Sequence, residues 1–215
     1  MARVIAIDGP SGAGKSSVSR LVAQRLGFQY LDTGAFYRAL AFHLTRKGTS
    51  PESPDEQIID AVRDAEISLD GDKVLLNGED ISDVIRTPEA GHFASVFSAR
   101  KSVRNHLLMI QKAAGRNCDI VAEGRDMTTV VFPEAHIKIY LDASEEGRTR
   151  RRYLQLREKG LPITMEEALR DVRDRDFRDK NRDIAPLRKA EDAIYIDTSD
   201  MSLDAVVDTI LKKVR

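Results

Sequence analysis

The chain has 215 residues, with 34 basic and 35 acidic side chains, a net charge of −1 and one cysteine. That length allows a substantial core, the balanced charge marks no polyanion partner, and a lone Cys118 excludes an internal disulfide or a multi-cysteine zinc site. The apolar run after Met1-Ala2-Arg3 is interrupted by Asp8 and no stretch approaches bilayer length, so a soluble cytoplasmic protein of one domain is expected.

Taken in order, Val4 to Asp8 reads as a short buried strand, followed by a glycine-rich turn and a helix from about Gly14 to Leu26. Gly27 ends that helix, Phe28 to Leu31 forms a second strand, and Thr33 caps a helix to about Arg46. Between Gly48 and Pro88 the rhythm breaks. Pro51 and Pro54 start a helix to about Asp64, and "EISLDGDKVLLNGED" alternates around Asp70-Gly71-Asp72 as a hairpin, an insertion on the main sheet. A helical stretch from Pro88 to Gly115, broken near Ser98, precedes two more buried strands, "DIVAEG" and "HIKIYLD". Cys118, beside Ile120-Val121-Ala122, reads as an inert buried thiol. Helices over 145–160 and 164–183, the strand "AIYID" and a last helix from Ser202 to Lys213 close the chain. Strands that alternate with helices, each a continuous apolar run, predict an α/β fold: a parallel sheet of about five strands between two helical layers.

Gly9-Pro10-Ser11-Gly12-Ala13-Gly14-Lys15-Ser16, followed by Ser17, fits G-x-x-x-x-G-K-[ST] between a strand and a helix. Backbone N–H groups of such a loop converge on phosphate oxygens, Lys15 reaches the outer phosphates, and the Ser16 hydroxyl is placed to ligate Mg²⁺. A nucleoside triphosphate with Mg²⁺ is therefore expected. The fate of its γ-phosphate is a separate question. No guanine-reading Asn-Lys-x-Asp is present, and 148–188 carries eleven arginines and two lysines against eight acids, which favours phosphoryl transfer over a switch.

"YLDTGAFYR" places Asp32 at one strand end, and "AEGRDMTTVVFP" places Glu123, Arg125 and Asp126 at another, the edge where open α/β sheets bind ligands. With "IRTPE", "FASVFSARKSVR" and "RDFRDKNRDIAP", these segments make nearly the whole chain resemble the bacterial cytidylate kinase family. The resemblance implies a P-loop kinase of three-layer α/β/α form that passes the γ-phosphoryl group of ATP, with Mg²⁺, to CMP or dCMP. By that similarity Ser95, Arg104 and Asp126 match positions that read the cytosine, Arg175 and Asp179 match sugar contacts, and Arg38, Arg125 and Arg182 match contacts to the acceptor phosphate. Residues 32–118 match the acceptor-binding region, with the hairpin near 66–80, and "RTRRRYLQLREKG" at 148–160 matches a lid whose Arg151 and Arg152 would close over ATP. Thr128, where relatives commonly carry glycine, adds bulk near the acceptor and bears on the choice between CMP and dCMP.

Bland readings stand beside these. "RDVRDRDFRDKNRD" also suits an exposed salt-bridged helix, although Arg175, Asp179 and Arg182 at i, i+4 and i+7 share one face. Asp32 is either a helix cap or the group that orients the acceptor phosphate or a Mg²⁺ water; Glu123 either organises water around Mg²⁺ or is simply buried beside an arginine. The insertion is either mobile on substrate binding or decorative. A different small P-loop kinase and a nucleotide-gated RNA-binding module are the alternatives. The segment 148–188 lacks the interleaved aromatics of a single-strand binder, so no nucleic acid, no membrane and a monomer are expected.

Overall fold

A computed structural model describes residues 2–71 and 73–214. Among the described residues eight strands and eight α-helices follow one another as β1 (Val4–Asp8), α1 (Lys15–Leu26), β2 (Gln29–Asp32), α2 (Thr33–Arg46), α3 (Asp55–Val62), β3 (Ile67–Asp70), β4 (Lys73–Leu76) and β5 (Glu79–Asp80), then α4 (Pro88–Phe97), α5 (Lys101–Ala114), β6 (Ile120–Gly124), β7 (Ile137–Asp142), α6 (Glu145–Glu158), α7 (Met165–Asn181), β8 (Ile194–Asp197) and α8 (Leu203–Val214). Contacts divide the chain into two compact units, 32–114 and the flanking residues on either side of it.

The flanking unit carries the main sheet, ordered β2-β6-β1-β7-β8, with β1–β6, β1–β7 and β7–β8 all parallel. Every residue of β1 and of β6 is buried, the signature of strands covered on both faces. On one face Ile5, Ile7, Val121, Ile139 and Leu141 pack with Val18 and Val22 of α1 and with Val206, Val207 and Ile210 of α8. Register puts Asp8 opposite Gly124 of β6 and Tyr140 of β7, so β1 and β6 end together at one edge while β7 runs on to Asp142. The glycine-rich loop leaves β1 at that edge, and the segment after Gly124 leaves β6 there.

The unit 32–114 holds α2 to α5 and an antiparallel sheet ordered β3-β4-β5. The expected hairpin is present with Asp70 paired to Lys73; Asp72 of its turn lies outside the described residues. A third strand continues it through a tight turn at Asn77 and Gly78, both at positive φ (50° and 82°). Asn-Gly is the dipeptide that favours such a turn, so this strand was legible in the sequence. Other differences are local. The helix expected from Pro51 to Asp64 is shorter, with Pro54 immediately before its first residue. The break in 88–115 falls at residues 98–100, where the Ser98 hydroxyl donates to the Ser95 carbonyl. Asp32, not Thr33, caps α2: its Oδ1 accepts from the Ala35 N–H at 3.0 Å, and Thr33 is the first helical residue. Cys118 is half-buried rather than buried, and its thiol donates to Gln29 Oε1 at 3.1 Å.

Candidate active site

The loop from Gly9 to Gly14 is shaped by close approach. A Cβ on Gly9 would stand 2.0 Å from the Leu141 carbonyl oxygen, so no side chain fits at that position. Helix α1 then begins at Lys15 with no side-chain cap, which leaves its first N–H groups and the positive end of its dipole at the loop. Ser16 and Ser17 are exposed in that first turn. The Lys15 side chain is buried, and Nζ donates to the Pro10 carbonyl at 2.7 Å. Burial, reinforced by the Arg125 charge, pushes the Lys15 ammonium down to about 7 against the pull of Glu123, Asp179 and Asp8.

Several residues that brace the loop were not singled out in the sequence. Asp176 Oδ1 accepts from the Ser11 N–H at 3.0 Å, and Arg148 donates to the Ser11 carbonyl at 3.1 Å and to Asp176 Oδ2. The Thr198 hydroxyl donates to the Ala13 carbonyl at 3.3 Å and accepts from Arg151 Nη1 at 2.9 Å. Of the two arginines expected in a lid this places Arg151 beside the loop, with Nη1 3.9 Å from where a Cβ of Gly14 would stand. Arg152 turns instead to Asp171 of α7, at 2.7 Å, and to Gln155.

At the end of β6 the structure gathers four of the named residues into one array. Arg125 Nε donates to Asp179 Oδ2 at 2.8 Å; Arg182 lies 3.5 Å from Asp179 Oδ1 and 3.9 Å from Asp126 Oδ1. Both side chains of the last pair are 6 % exposed. Burial opposes the charge of Asp179, yet Arg125 and Arg182 hold its carboxyl below the usual range. Burial likewise opposes the charge of Arg125, and Asp179, Glu123 and Asp176 outweigh it, so its guanidinium is held above its ordinary value. Arg175 is lowered to about 10 by burial and by the nearby Arg125 and Arg152 charges. Helix α7 starts in a capping box, Thr164 with Glu167, and stops at Asn181, so Arg182 is the residue after the helix and not part of its face. Its guanidinium still meets Asp179, its partner on the expected face. Glu123 is buried and accepts from the Tyr30 hydroxyl.

Thr128 is buried beside Asp8. Its hydroxyl and N–H both donate to Asp8 Oδ2 at 2.7 Å, while the Met127 N–H donates to Asp8 Oδ1 at 2.9 Å. The added side chain therefore fills a place under the π-helical turn 127–131 and against the end of β1, held to a buried carboxylate. Burial raises the Asp8 carboxyl to about 6 in spite of these three donors. A carboxyl that holds its proton more tightly in the folded chain stabilises fully below its unfolded value of 3.8 and loses that contribution as the pH rises through about 6. The stability difference between the parent and Asp8→Asn should accordingly fall by about 2 kcal/mol between pH 4 and pH 7 in denaturant titrations. A difference that is flat with pH would contradict it.

In the other unit Arg38 Nη2 donates to Asp32 Oδ2 at 2.9 Å, so Asp32 both caps α2 and holds an arginine of the same helix. Arg104 is buried on α5, donates through Nε to the Ser98 carbonyl at 2.6 Å, and sits 5.5 Å from the centre of the Tyr37 ring. Ser95 is half-buried on α4. Ser95, Arg104, Arg38 and Asp32 thus belong to the unit 32–114, and Lys15, Arg125, Asp126, Arg175, Asp179 and Arg182 to the flanking one. Tyr37 was within reach of sequence reasoning, as the residue before Arg38 in "YLDTGAFYR".

A phosphate loop on the central strand of a parallel sheet, with cations along the carboxyl edge, defines a P-loop kinase fold. The solved shikimate kinase of Acinetobacter baumannii shares it, at 20% identity and a TM-score of 0.50 over 100% of this chain and 93% of its own. So does a gluconokinase of Sinorhizobium meliloti 1021, at 12% identity and 0.50 over 98% and 90%. The sequence is more specific. A model of the family Cytidylate kinase matches residues 5–215. The cytidylate kinase of Thermodesulfovibrio yellowstonii is 50% identical over 218 residues, 100% of this chain and 98% of its own; that of Fervidobacterium nodosum is 50% identical over 211 residues, 98% and 95%. The chain belongs to the cytidylate kinase family.

Proposed function

We propose that the protein transfers the γ-phosphoryl group of ATP to CMP or dCMP, giving ADP and CDP or dCDP. The observation that carries the reading is the placement of buried cations: Lys15 lies in the loop after β1, and Arg125 and Arg182 meet at Asp179 beyond the end of β6, while burial first and neighbouring charges second lower Lys15 and Arg175. Fixed positive groups that repel one another are relieved when polyanions lie between them, and two phosphate chains brought end to end need that compensation.

The Gly9–Ser17 loop binds the triphosphate, with Lys15 at the outer phosphates and Arg151 closing from α6. Arg125, Arg182 and Arg38 hold the acceptor phosphate, whose oxygen is already anionic, so no strong general base is required. Asp32 holds Arg38 ready for that role. The exposed Ser16 hydroxyl suits Mg²⁺, an ion that keeps several waters and takes most of its remaining ligands from substrate phosphates. That ion would supply charge neutralisation between the phosphates. Glu123, bonded to Tyr30, fits the role of orienting a water near it. Arg175 and Asp179 contact the sugar. Residues 32–118 serve as the acceptor-binding region and 148–160 as the lid. A cytoplasmic monomer acting on small molecules is the matching setting. Among the described residues no helix is long and apolar enough to cross a membrane.

Cytosine presents an amine donor beside ring acceptors, so Asp126 accepts from the amine while Arg104 and Ser95 donate to the acceptors. Uracil would set a carbonyl against the Asp126 carboxylate, a mismatch of about 1 to 3 kcal/mol, or roughly tenfold or more. Asp126→Ala should therefore collapse the ratio of kcat/KM for CMP over UMP by that factor. An unchanged ratio removes Asp126 from base recognition.

A further inference from the structure

We propose that Asp176, together with Arg148, is a positioning residue for the triphosphate donor: the pair grips both sides of the Ser11 peptide and fixes the first turn of the phosphate loop to helix α7. Ser11 lies inside the glycine-rich motif, where backbone N–H groups are expected to face phosphate. Its N–H instead points to Asp176 Oδ1 at 3.0 Å, so the loop presents to the ligand only the N–H groups that follow. The carbonyl of the same residue accepts from Arg148 Nη1 at 3.1 Å, and that nitrogen also bonds Asp176 Oδ2. Arg148 is anchored in turn by Nε, which donates to the Ala143 carbonyl at the end of β7 at 3.0 Å. The two side chains are 9 % and 11 % exposed, and every bond is made inside the unit, which sets the pair apart from the solvated ion pairs of α6 and α7.

The placement of Asp176 gives the grip a further reach. It lies on α7 between Arg175 and Asp179. One carboxylate thus ties the loop to the helix that carries two residues assigned to the acceptor. A rigid loop binds phosphate without paying an ordering cost on each turnover, and loosening it charges that cost to the donor alone.

The inference rests on the reading that this loop holds ATP, so three variants are compared with both substrates varied. Asp176→Asn keeps an oxygen for the Ser11 N–H but sets an amide N–H₂ against the Arg148 guanidinium and breaks the bridge. It should raise KM for ATP about tenfold and KM for CMP less than twofold. Arg148→Gln, which leaves Asp176 on the Ser11 N–H, should shift KM for ATP in the same direction by about threefold. Unchanged KM for ATP, or equal rises for both substrates, overturns the proposal. So does the failure of both variants to fold under conditions where Lys15→Ala folds, because the pair then serves the fold alone. Lys15→Ala separates the underlying reading: full ATP use in that variant shows that the loop is not the donor site, whereas its loss beside an unaffected Asp176→Asn overturns only the positioning role.

Discussion

Lys15→Ala should lower kcat/KM for CMP phosphorylation by about a thousandfold or more, a loss of about 4 kcal/mol of transition-state stabilisation. The side chain is buried, its Nζ rests on the Pro10 carbonyl, and it is the one ammonium in the loop. Burial and the Arg125 charge lower it to about 7, and phosphates beside it would oppose that shift and favour the full cation where charge builds on the transferring group. The same shift predicts that activity is lost without stability. A base that is lowered from 10.5 to about 7 binds fewer protons folded than unfolded, so its presence costs the fold most at pH 7 and below, and that cost fades as the pH rises towards 10.5. Lys15→Ala should unfold no earlier than the parent at pH 7 while turnover collapses. Turnover within tenfold of the parent would contradict the assignment.

Arg182→Ala should lower kcat about a hundred- to a thousandfold, and here the fold suffers as well. Arg182 is fixed by Nε on the Ala185 carbonyl at 2.8 Å and lies between two buried carboxylates, Asp126 at 3.9 Å and Asp179 at 3.5 Å. Its removal takes away the guanidinium fork proposed for the acceptor phosphate and a cation beside Asp126, although Asp179 keeps Arg125. Arg182→Lys distinguishes the two losses. A lysine restores the positive charge between the carboxylates but not the planar fork, so the melting temperature should return further towards the parent than kcat does. Equal recovery of both would reduce Arg182 to a structural counter-ion.

The parts of the site visible in the sequence are those written in contiguous residues. Gly9 to Ser16 follows a fixed spacing between a strand and a helix, and Val4 to Asp8 and Ile120 to Gly124 are apolar runs that only a doubly covered strand explains. The array of Arg125, Asp126, Asp179 and Arg182 was legible through family likeness, since nothing in "AEGRDM" and "RDFRDKNRD" alone says that they meet. What escaped depends on contacts across long separations. Asp8 looked like a break in an apolar run, yet it is the buried acceptor for Met127 and Thr128, about 120 residues on. Arg148 and Asp176 were two charges among many in a basic segment, and only the fold brings them to the Ser11 peptide. For the cap of α2 the sequence offers both Thr33 and Asp32, two good capping residues it cannot rank, and the structure has Asp32.

The proposed transfer requires a site that aligns two anionic nucleotides, ATP and a cytidine monophosphate, with fixed positive groups around their phosphates. Its most direct test is ADP release by the purified full chain with Mg²⁺-ATP and, in turn, CMP, dCMP, UMP and AMP. The account predicts release matched by CDP or dCDP with the first two and a kcat/KM at least tenfold lower with UMP and AMP. Silence with CMP and dCMP, or equal rates with all four acceptors, would contradict it.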